Sequence, residues 1–175
     1  MGRKTRTARK GILVYADTSV YGGAFDNEFD DASRRFFDSV RDGQFRIAVS
    51  AVIQDEIAKA PARVRALFDE MAQRAEFAYM TDIAETLQHA YLAAKIVPAH
   101  AEPDALHVAL ATAAGCEMIS EVASYRPATD ISWNFKHIVN YRRIPLYNEI
   151  NRRHGRPEIA IFSPLEVISD EDEEF

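Results

Sequence analysis

One short apolar run that ends in an acid constrains this chain more than any other feature. Residues Ile12–Ala16 are apolar or aromatic and rich in branched side chains, which is typical of a strand buried on both faces of a sheet. Asp17 follows directly, and Thr18, Ser19 and the glycine pair 22–23 predict a loop. A carboxylate at the end of a buried strand costs free energy unless a partner compensates it. Ligands bind at this edge of open α/β sheets, so we expect Asp17 to lie in a site; the alternative is that it only caps the following turn.

Length and composition predict one ordinary globular domain of 175 residues. The longest apolar stretch is shorter than a membrane span requires, and no secretory signal is visible. Cys116 is the only cysteine, which excludes an internal disulfide and a zinc site made of cysteines. We therefore expect no membrane association and a cytoplasmic location.

The formal net charge of −6 is unevenly distributed along the chain. A basic segment at 1–10 and an acidic segment at 170–175 flank a predicted domain at 11–169, and both segments are expected to be disordered. The acidic domain argues against strong non-specific binding of nucleic acid through bulk charge. It is compatible with a cluster of carboxylates that holds a cation.

Strands and helices are predicted to alternate along the domain. Strands are predicted at 12–16, 45–49, 77–80, 116–119 and 159–162, with a further one starting at 131, and helices at 29–42, 50–59, from 61, from 82 and at 103–115. This alternation predicts βαβ units, and therefore an α/β fold with a central parallel sheet covered on both faces. A polar stretch at 120–130 interrupts the pattern.

Three acids lie just after a predicted strand or in the early turns of a predicted helix, namely Asp17, Glu56 and Asp104. Such positions can meet at one edge of the sheet, where the carboxylates repel one another unless a divalent cation neutralises them. Ligand sets made only of oxygen favour Mg²⁺ or Mn²⁺, which can activate water and stabilise charge on a phosphodiester. The alternatives are a solvated helix residue for Glu56 and a partner of the helix dipole for Asp104.

Four motifs follow one another in a characteristic order. They are Asp17-Thr18-Ser19 after the first strand, Ser50 with Glu56 after the second, residues 104–109 at the start of a buried helix, and Ser132-Trp133-Asn134-Phe135 near the end. From about residue 12 to residue 168 the chain thus resembles PIN-domain proteins, in particular the bacterial group that includes VapC-type toxins.

The resemblance implies a three-layer α/β/α fold and Mg²⁺- or Mn²⁺-dependent cleavage of RNA. By position, Asp17, Glu56 and Asp104 match the acidic metal site of the family, and Thr18 or Ser19 matches the hydroxyl that supports it. The resemblance also implies a homodimer and, for toxin members, inactivation by a cognate antitoxin protein.

Two departures from the family pattern concern the end of the predicted site. Asn134 stands where the family often has a fourth acid after a Ser/Thr-x pair, here begun by Ser132. An amide can coordinate a cation or hold a water molecule but adds no negative charge, so we expect lower metal affinity. The second departure is the 120–130 stretch, where Glu121 or Asp130 is an alternative fourth acid, although acids in loops are mostly solvated.

Two further groups of residues have both a structural and a functional interpretation. We expect His107 to be a hydrogen-bonded core histidine rather than a ligand, and Trp133 to pack rather than to stack on a base. The basic residues after 135 predict an RNA-contact surface with stacking platforms, the alternative being a solvated surface that balances neighbouring acids. These residues are Lys136, His137, Arg142 and Arg143, together with Arg152, Arg153, Arg156 and the interleaved Tyr141 and Tyr147.

The favoured hypothesis is a metal-dependent endoribonuclease, in the manner of the toxin of a toxin–antitoxin pair. The main alternative is a catalytically inactive PIN-like module that binds RNA or a protein. An aspartyl phosphatase that uses Asp17 as its nucleophile is weaker, because Ser19 occupies the place of the second aspartate. A nucleotide-binding domain is weaker still, since the chain has no glycine-rich phosphate loop.

Overall fold

A parallel sheet of five strands forms the centre of the computed structural model, which describes residues 11–117 and 128–169. The strands are ordered β3-β2-β1-β4-β5 across the sheet, and every neighbouring pair is parallel. They are β1 (Ile12–Ala16), β2 (Phe45–Val49), β3 (Glu76–Phe77), β4 (Ala128–Ile131) and β5 (Ile159–Phe162). The first strand therefore lies in the middle, where its carboxyl end opens onto the neighbouring strands β2 and β4.

Helices connect the strands and cover both faces of the sheet. They are α1 (Thr18–Gly23), α2 (Asp30–Arg41), α3 (Ala51–Ile57), α4 (Ala62–Ala72), α5 (Asp82–Ala93), α6 (Glu102–Glu117), α7 (Ile144–Arg153) and α8 (Pro164–Ser169), with a 3₁₀ turn at Ala99–Ala101. Helix α6 packs against β1, β4 and α5, while α2 packs against β2 and α8. The predicted α/β fold, with a central parallel sheet in a three-layer α/β/α arrangement, is confirmed.

Local sequence accounts for several element boundaries. Helix α2 buries Phe36, Phe37 and Val40, as its apolar stripe predicts, and Gly43 just after it has a φ of 78°. Such a left-handed residue is the usual end of a helix, and only glycine adopts it without strain. The Ser50 hydroxyl accepts a hydrogen bond from the backbone N–H of Ile53, which caps the start of α3.

The segment after Asp17 is a helix, so the predicted loop is wrong. Helix α1 begins at Thr18 because the Asp17 side chain accepts a hydrogen bond from the backbone N–H of Ser19. The glycine pair that suggested a loop forms the last turn of this short helix. One well-placed cap therefore outweighs the low helix propensity of two glycines.

Helix α6 continues past Gly115, where the sequence predicted that it ends. It runs to Glu117, so residues 116–117 are helical and not the start of a strand, and the rest of that predicted strand lies outside the described residues. Gly115 lines a small space between α6 and β1 together with Ala111 and Ala114. A glycine inside a helix costs only about 1 kcal/mol, so close packing against the sheet can retain it.

Other boundaries also differ from the prediction. Strand β3 has two residues, whereas 77–80 was predicted, and α5 begins at Asp82 as predicted, with Thr81 as its cap. Residue Ile131 ends β4 instead of beginning a strand, and α7 was not predicted. No helix in the described ranges combines the length and the apolar character that crossing a bilayer requires.

Candidate active site

Asp17 lies at the carboxyl end of β1 and is almost completely buried. Its backbone N–H donates to the carbonyl of Ile131, which ties the end of β1 to β4. One carboxylate oxygen accepts from the Ser19 hydroxyl at 2.5 Å, and the other accepts from the Ser132 hydroxyl at 2.5 Å. Burial raises the pKa of Asp17, while His107 and these two hydroxyls act in the opposite direction. Asp17 thus caps α1 and also contacts a segment more than 100 positions away in the sequence.

Glu56 lies in the last turn of α3, with 35% of its side chain exposed. The Thr18 hydroxyl donates a hydrogen bond to its carboxylate, and the Nε2 atom of His107 lies 3.3 Å from the same oxygen. Burial opposes ionisation of Glu56, but the hydrogen bonds from His107 and Thr18 outweigh it, so the pKa of Glu56 is lowered. Glu56 is therefore an ionised, partly exposed carboxylate near neutral pH.

Asp104 occupies the first turn of α6, with 21% of its side chain exposed. The Nδ2 atom of Asn134 donates to one carboxylate oxygen at 3.0 Å, and the Nδ1 atom of His137 lies 2.7 Å from the other. The Asn134 carbonyl in turn accepts from the backbone N–H of His137 at 3.0 Å. Asn134 thus donates a hydrogen bond to Asp104 on α6 and supplies no carboxylate of its own.

The segment that begins at Ser132 connects the first acid to the third. The Ser132 hydroxyl donates to Asp17 and accepts from the backbone N–H of Asn134 at 2.8 Å. The backbone N–H of Trp133 donates to the Ser19 hydroxyl at 2.8 Å. Since Asn134 contacts Asp104, the acids of β1 and α6 belong to one hydrogen-bond network.

The Trp133 side chain is half-buried and packs against the core, as predicted. Its ring stacks on Phe29 with 4.5 Å between ring centroids, and its Nε1–H donates to the Ser33 hydroxyl at 2.7 Å. A Cβ atom at Gly23 would lie only 2.7 Å from both Ser33 Oγ and Trp133 Nε1. Glycine is thus required at this position by the close approach of the indole, and the indole anchors the segment of Ser132 and Asn134.

His107 is a buried, hydrogen-bonded histidine, which confirms that prediction. Its Nδ1 atom lies 2.9 Å from the hydroxyl of Tyr15, and its Nε2 atom faces Glu56. Burial alone lowers the pKa of His107, but the hydrogen bond to Glu56 and the charge of Asp17 outweigh it and raise the pKa. The contact with Glu56 was not predicted from the sequence, because the two residues are 51 positions apart.

Asp130 lies inside β4, not in the polar stretch where the sequence placed it. It is fully buried and is paired in register with Tyr15 of β1. Neither of its carboxylate oxygens has a hydrogen-bond partner within the described part of the chain. Burial and the charge of Asp17 raise its pKa well above the ordinary value. Glu121, the other candidate for a fourth acid, lies outside the described residues.

The predicted basic surface is divided between exposed and buried residues. Lys136 and Arg142 are exposed, whereas the His137 ring is buried against α6 and the guanidinium of Arg143 donates to a backbone carbonyl before α6. Tyr147 is in the core, so it is not a stacking platform. The surface that is available to a ligand is therefore narrower than the sequence indicated.

The basic residues at the end of α7 are paired with acids. Both Arg152 and Arg153 contact the carboxylate of Glu149, and Arg152 also contacts Glu158. These ion pairs agree with the alternative interpretation, in which the basic residues of this surface neutralise neighbouring acids.

The donor chemistry of the three acids fits a hard divalent cation, since every available ligand atom is an oxygen. In the described ranges, however, no three side chains of the His, Cys, Asp and Glu types form a group positioned to hold a metal ion. Both oxygens of Asp17 and both oxygens of Asp104 have donors within the protein. The structure therefore brings Asp17 and Asp104 into one network and places Glu56 against Thr18, without arranging the three acids as a complete ligand set.

The sequence matches the family model of the PIN domain over residues 14–121. The chain belongs to the PIN domain family. The matched range contains Asp17, Glu56 and Asp104, and PIN domains are generally nucleases. The predicted family is thereby confirmed.

A solved structure with a similar fold is the crystal structure of VapBC2 from Rickettsia felis bound to a DNA fragment from their promoter. The identity is 15% and the TM-score is 0.53, with 86% of this PIN-domain chain and 98% of that chain covered. At this identity the likeness concerns the fold. None of the curated proteins matches the sequence.

Proposed function

We propose that this PIN domain is a metal-dependent endoribonuclease and the toxin of a toxin–antitoxin pair. The observation that carries the proposal is the arrangement of three acids: Asp17 and Asp104 share one hydrogen-bond network, and Glu56 accepts a hydrogen bond from Thr18, the neighbour of Asp17. Acids gathered at the carboxyl edge of a parallel sheet repel one another, so their retention there requires a compensating function. Binding a cation that takes part in phosphodiester cleavage meets this requirement.

Asp17, Glu56 and Asp104 would hold Mg²⁺ or Mn²⁺. The bound ion supplies positive charge that activates water and stabilises charge on a phosphodiester. The side chains that contact these acids have the role of orienting them, as outer-shell groups do in metal sites generally. Thr18 orients Glu56, Ser19 and Ser132 orient Asp17, and Asn134 orients Asp104.

We assign the contact with RNA to the turn that follows Asn134. Lys136 and Arg142 are exposed there and can contact phosphates. Phe135 and Tyr141 are exposed in the same turn and can stack on unpaired bases. His137 and Arg143, which the sequence also suggested, face the protein and instead hold Asp104 and the connection before α6.

An antitoxin protein and a second copy of the chain are the proposed partners. The support for an antitoxin is the shared fold with a chain of VapBC2, together with the order of motifs that resembles VapC-type toxins. The homodimer rests on the family resemblance alone. Gel filtration with and without the product of a neighbouring gene tests both partners.

A second candidate function is a catalytically inactive module that binds RNA or a protein. It is favoured by the two oxygens of Asp104, both of which are engaged by Asn134 and His137. Adding a cation to Asp104 requires displacement or rearrangement of these donors. Calorimetric titration with Mn²⁺ discriminates, since a nuclease binds the ion and the inactive module does not bind it at millimolar concentration.

RNA cleavage in the presence of Mn²⁺ tests the nuclease directly. We expect Asp17→Asn and Asp104→Asn to reduce cleavage to background, because each removes a negative ligand without changing the size of the side chain. The matched control is Asp69→Asn, an exposed position on α4 away from the network. Equal cleavage by all four proteins, including wild type, would reject the site assignment.

A further inference from the structure

A buried line of hydrogen bonds leads from the start of α3 through the sheet to Glu56. The Ser50 hydroxyl lies 2.9 Å from the hydroxyl of Tyr15, which lies 2.9 Å from the Nδ1 atom of His107. The Nε2 atom of His107 then lies 3.3 Å from the Glu56 carboxylate. Tyr15, Ser50 and His107 are all buried, whereas Glu56 is partly exposed in the candidate active site.

The groups at the two ends of this line determine which atoms donate and which accept in each of its hydrogen bonds. An ionised carboxylate only accepts, so in the neutral imidazole Nε2 of His107 carries the proton and donates to Glu56. Nδ1 is then the acceptor and requires the Tyr15 hydroxyl as donor. The Tyr15 oxygen can in turn accept from the Ser50 hydroxyl, whose oxygen accepts from the backbone N–H of Ile53 at 3.4 Å. Every proton in the line therefore points towards Glu56.

We propose that Tyr15 and His107 are positioning residues that hold the Glu56 carboxylate in the metal site, an inference that rests on the proposed function. A glutamate on a short helix loses considerable side-chain freedom when it is fixed as a ligand. His107 holds the carboxylate from the buried side, and Thr18 holds it from the side of Asp17. The rotamer of Glu56 that contacts both His107 and Thr18 is thus favoured before any cation binds.

The arrangement is specific because polar groups at such depth are costly unless they are paired. Tyr15 lies on the central strand and His107 on the helix that covers it, where apolar side chains would pack without such a cost. The buried Tyr21 offers a comparison, because its hydroxyl has no hydrogen-bond partner among the described residues. It is the natural control for the loss of a buried tyrosine hydroxyl.

Two substitutions of His107 separate its two contacts. The amide of His107→Asn reaches the position of Nδ1, so it can keep the contact with Tyr15 but loses the contact with Glu56. The longer His107→Gln places its amide near Nε2 and can still donate to Glu56. We expect His107→Asn to weaken Mn²⁺ binding by about 10- to 100-fold, as loss of an outer-shell partner commonly does, and His107→Gln to restore most of that affinity.

Isothermal titration calorimetry with Mn²⁺ measures these affinities without an activity assay. Tyr15→Phe frees Nδ1 of His107 and is expected to weaken Mn²⁺ binding, whereas Tyr21→Phe is expected to leave it unchanged. Circular dichroism melting of each variant verifies that the variants are folded at the titration temperature. Equal Mn²⁺ affinity for wild type, His107→Asn and Tyr15→Phe would overturn the inference.

The tautomer of His107 is a second, independent observable. In ¹⁵N spectra of histidine-labelled protein at alkaline pH, we expect a protonated Nε2 and an acceptor Nδ1, with the Nδ1 resonance shifted by Tyr15→Phe. The opposite tautomer would contradict the proposed direction. Failure of the proposed function has a different signature, in which wild type neither binds Mn²⁺ nor cleaves RNA.

Discussion

Replacing Asp130 with asparagine is expected to stabilise the folded chain, and the gain is expected to increase with pH. Asp130 is fully buried in β4, and neither carboxylate oxygen has a hydrogen-bond partner within the described residues. Burial, together with the charge of Asp17, raises the pKa of Asp130 well above its ordinary value. Asparagine has almost the same shape and no carboxyl proton, so the substitution removes the ionisation and leaves the packing of β4 in place.

The direction in which stability changes with pH follows from the number of protons that the folded and unfolded states bind. An aspartate in an unfolded chain releases its proton near pH 3.9, whereas buried Asp130 retains its proton to a higher pH. Between the two pKa values the folded state binds one proton more than the unfolded state, so the free energy of unfolding decreases as the pH rises. Below the unfolded pKa both states are protonated and this loss is absent. The asparagine variant has no such loss at any pH.

The size of the effect follows from a difference of one bound proton between the folded and the unfolded state. Over a pH interval that lies between the two pKa values, the stability of wild type relative to the variant falls by about 1.4 kcal/mol per unit. We therefore expect the advantage of Asp130→Asn to grow by about 1.4 kcal/mol for each pH unit above the pKa of an unfolded aspartate, until the pH reaches the pKa of folded Asp130.

Urea denaturation followed by Trp133 fluorescence measures this difference. Trp133 is the only tryptophan, and its ring is stacked on Phe29, so unfolding changes its environment. The experiment compares wild type, Asp130→Asn and the exposed control Asp69→Asn at several pH values, with EDTA present to remove metal ions. Parallel stability curves for wild type and Asp130→Asn would refute the reasoning, as would a variant that loses relative stability with rising pH.

Four further predictions concern the same region of the fold. Gly22→Ala should stabilise the chain by about 0.5–1 kcal/mol, because nothing outside its helix lies within 4 Å of the new Cβ. Gly23→Ala should instead destabilise it by about 1–3 kcal/mol, because its Cβ would lie 2.7 Å from the indole of Trp133. Scanning calorimetry compares the Tm of the two variants, and a higher Tm for Gly23→Ala than for Gly22→Ala contradicts the packing argument. Ser50→Ala should cost about 1 kcal/mol through the lost helix cap, with urea denaturation as the measurement and an unchanged midpoint as the contrary result. Mn²⁺ at about 100 times its Kd should stabilise wild type by about 2.7 kcal/mol but not Asp17→Asn, and equal shifts of Tm would place the ion elsewhere.

The elements that the sequence predicted well are those with a strong local pattern. Strands β1, β2 and β5 have the predicted boundaries, because their short runs of apolar and branched residues have no competing helical pattern. Helix α1 was missed because two glycines outweighed a cap that only the bond from Ser19 to Asp17 reveals. Helix α7 was missed because its basic residues were assigned to a binding surface, although its buried side includes Tyr147 and Ile150.

The candidate site was predicted in part. The order of Asp17, Glu56 and Asp104 along a chain of alternating strands and helices predicted that they meet at one edge of a parallel sheet. Their actual partners could not be predicted, since His107 and His137 meet the acids across separations of 51 and 33 residues. Asp130, one of the two alternatives for a fourth acid, was placed in a polar loop, whereas it lies within strand β4.

The sequence by itself determined the class of fold and the residue types at the site, because apolar periodicity, caps and the succession of acids are local properties of the chain. The tertiary structure decided which donors face each carboxylate, which of the basic residues are exposed, and that Asp130 is buried without a partner in the described ranges. The physical reason is that the charge state and orientation of a carboxylate depend on burial and on neighbours within a few ångströms. Those neighbours come from strands and helices that are distant in sequence and adjacent only in the folded sheet.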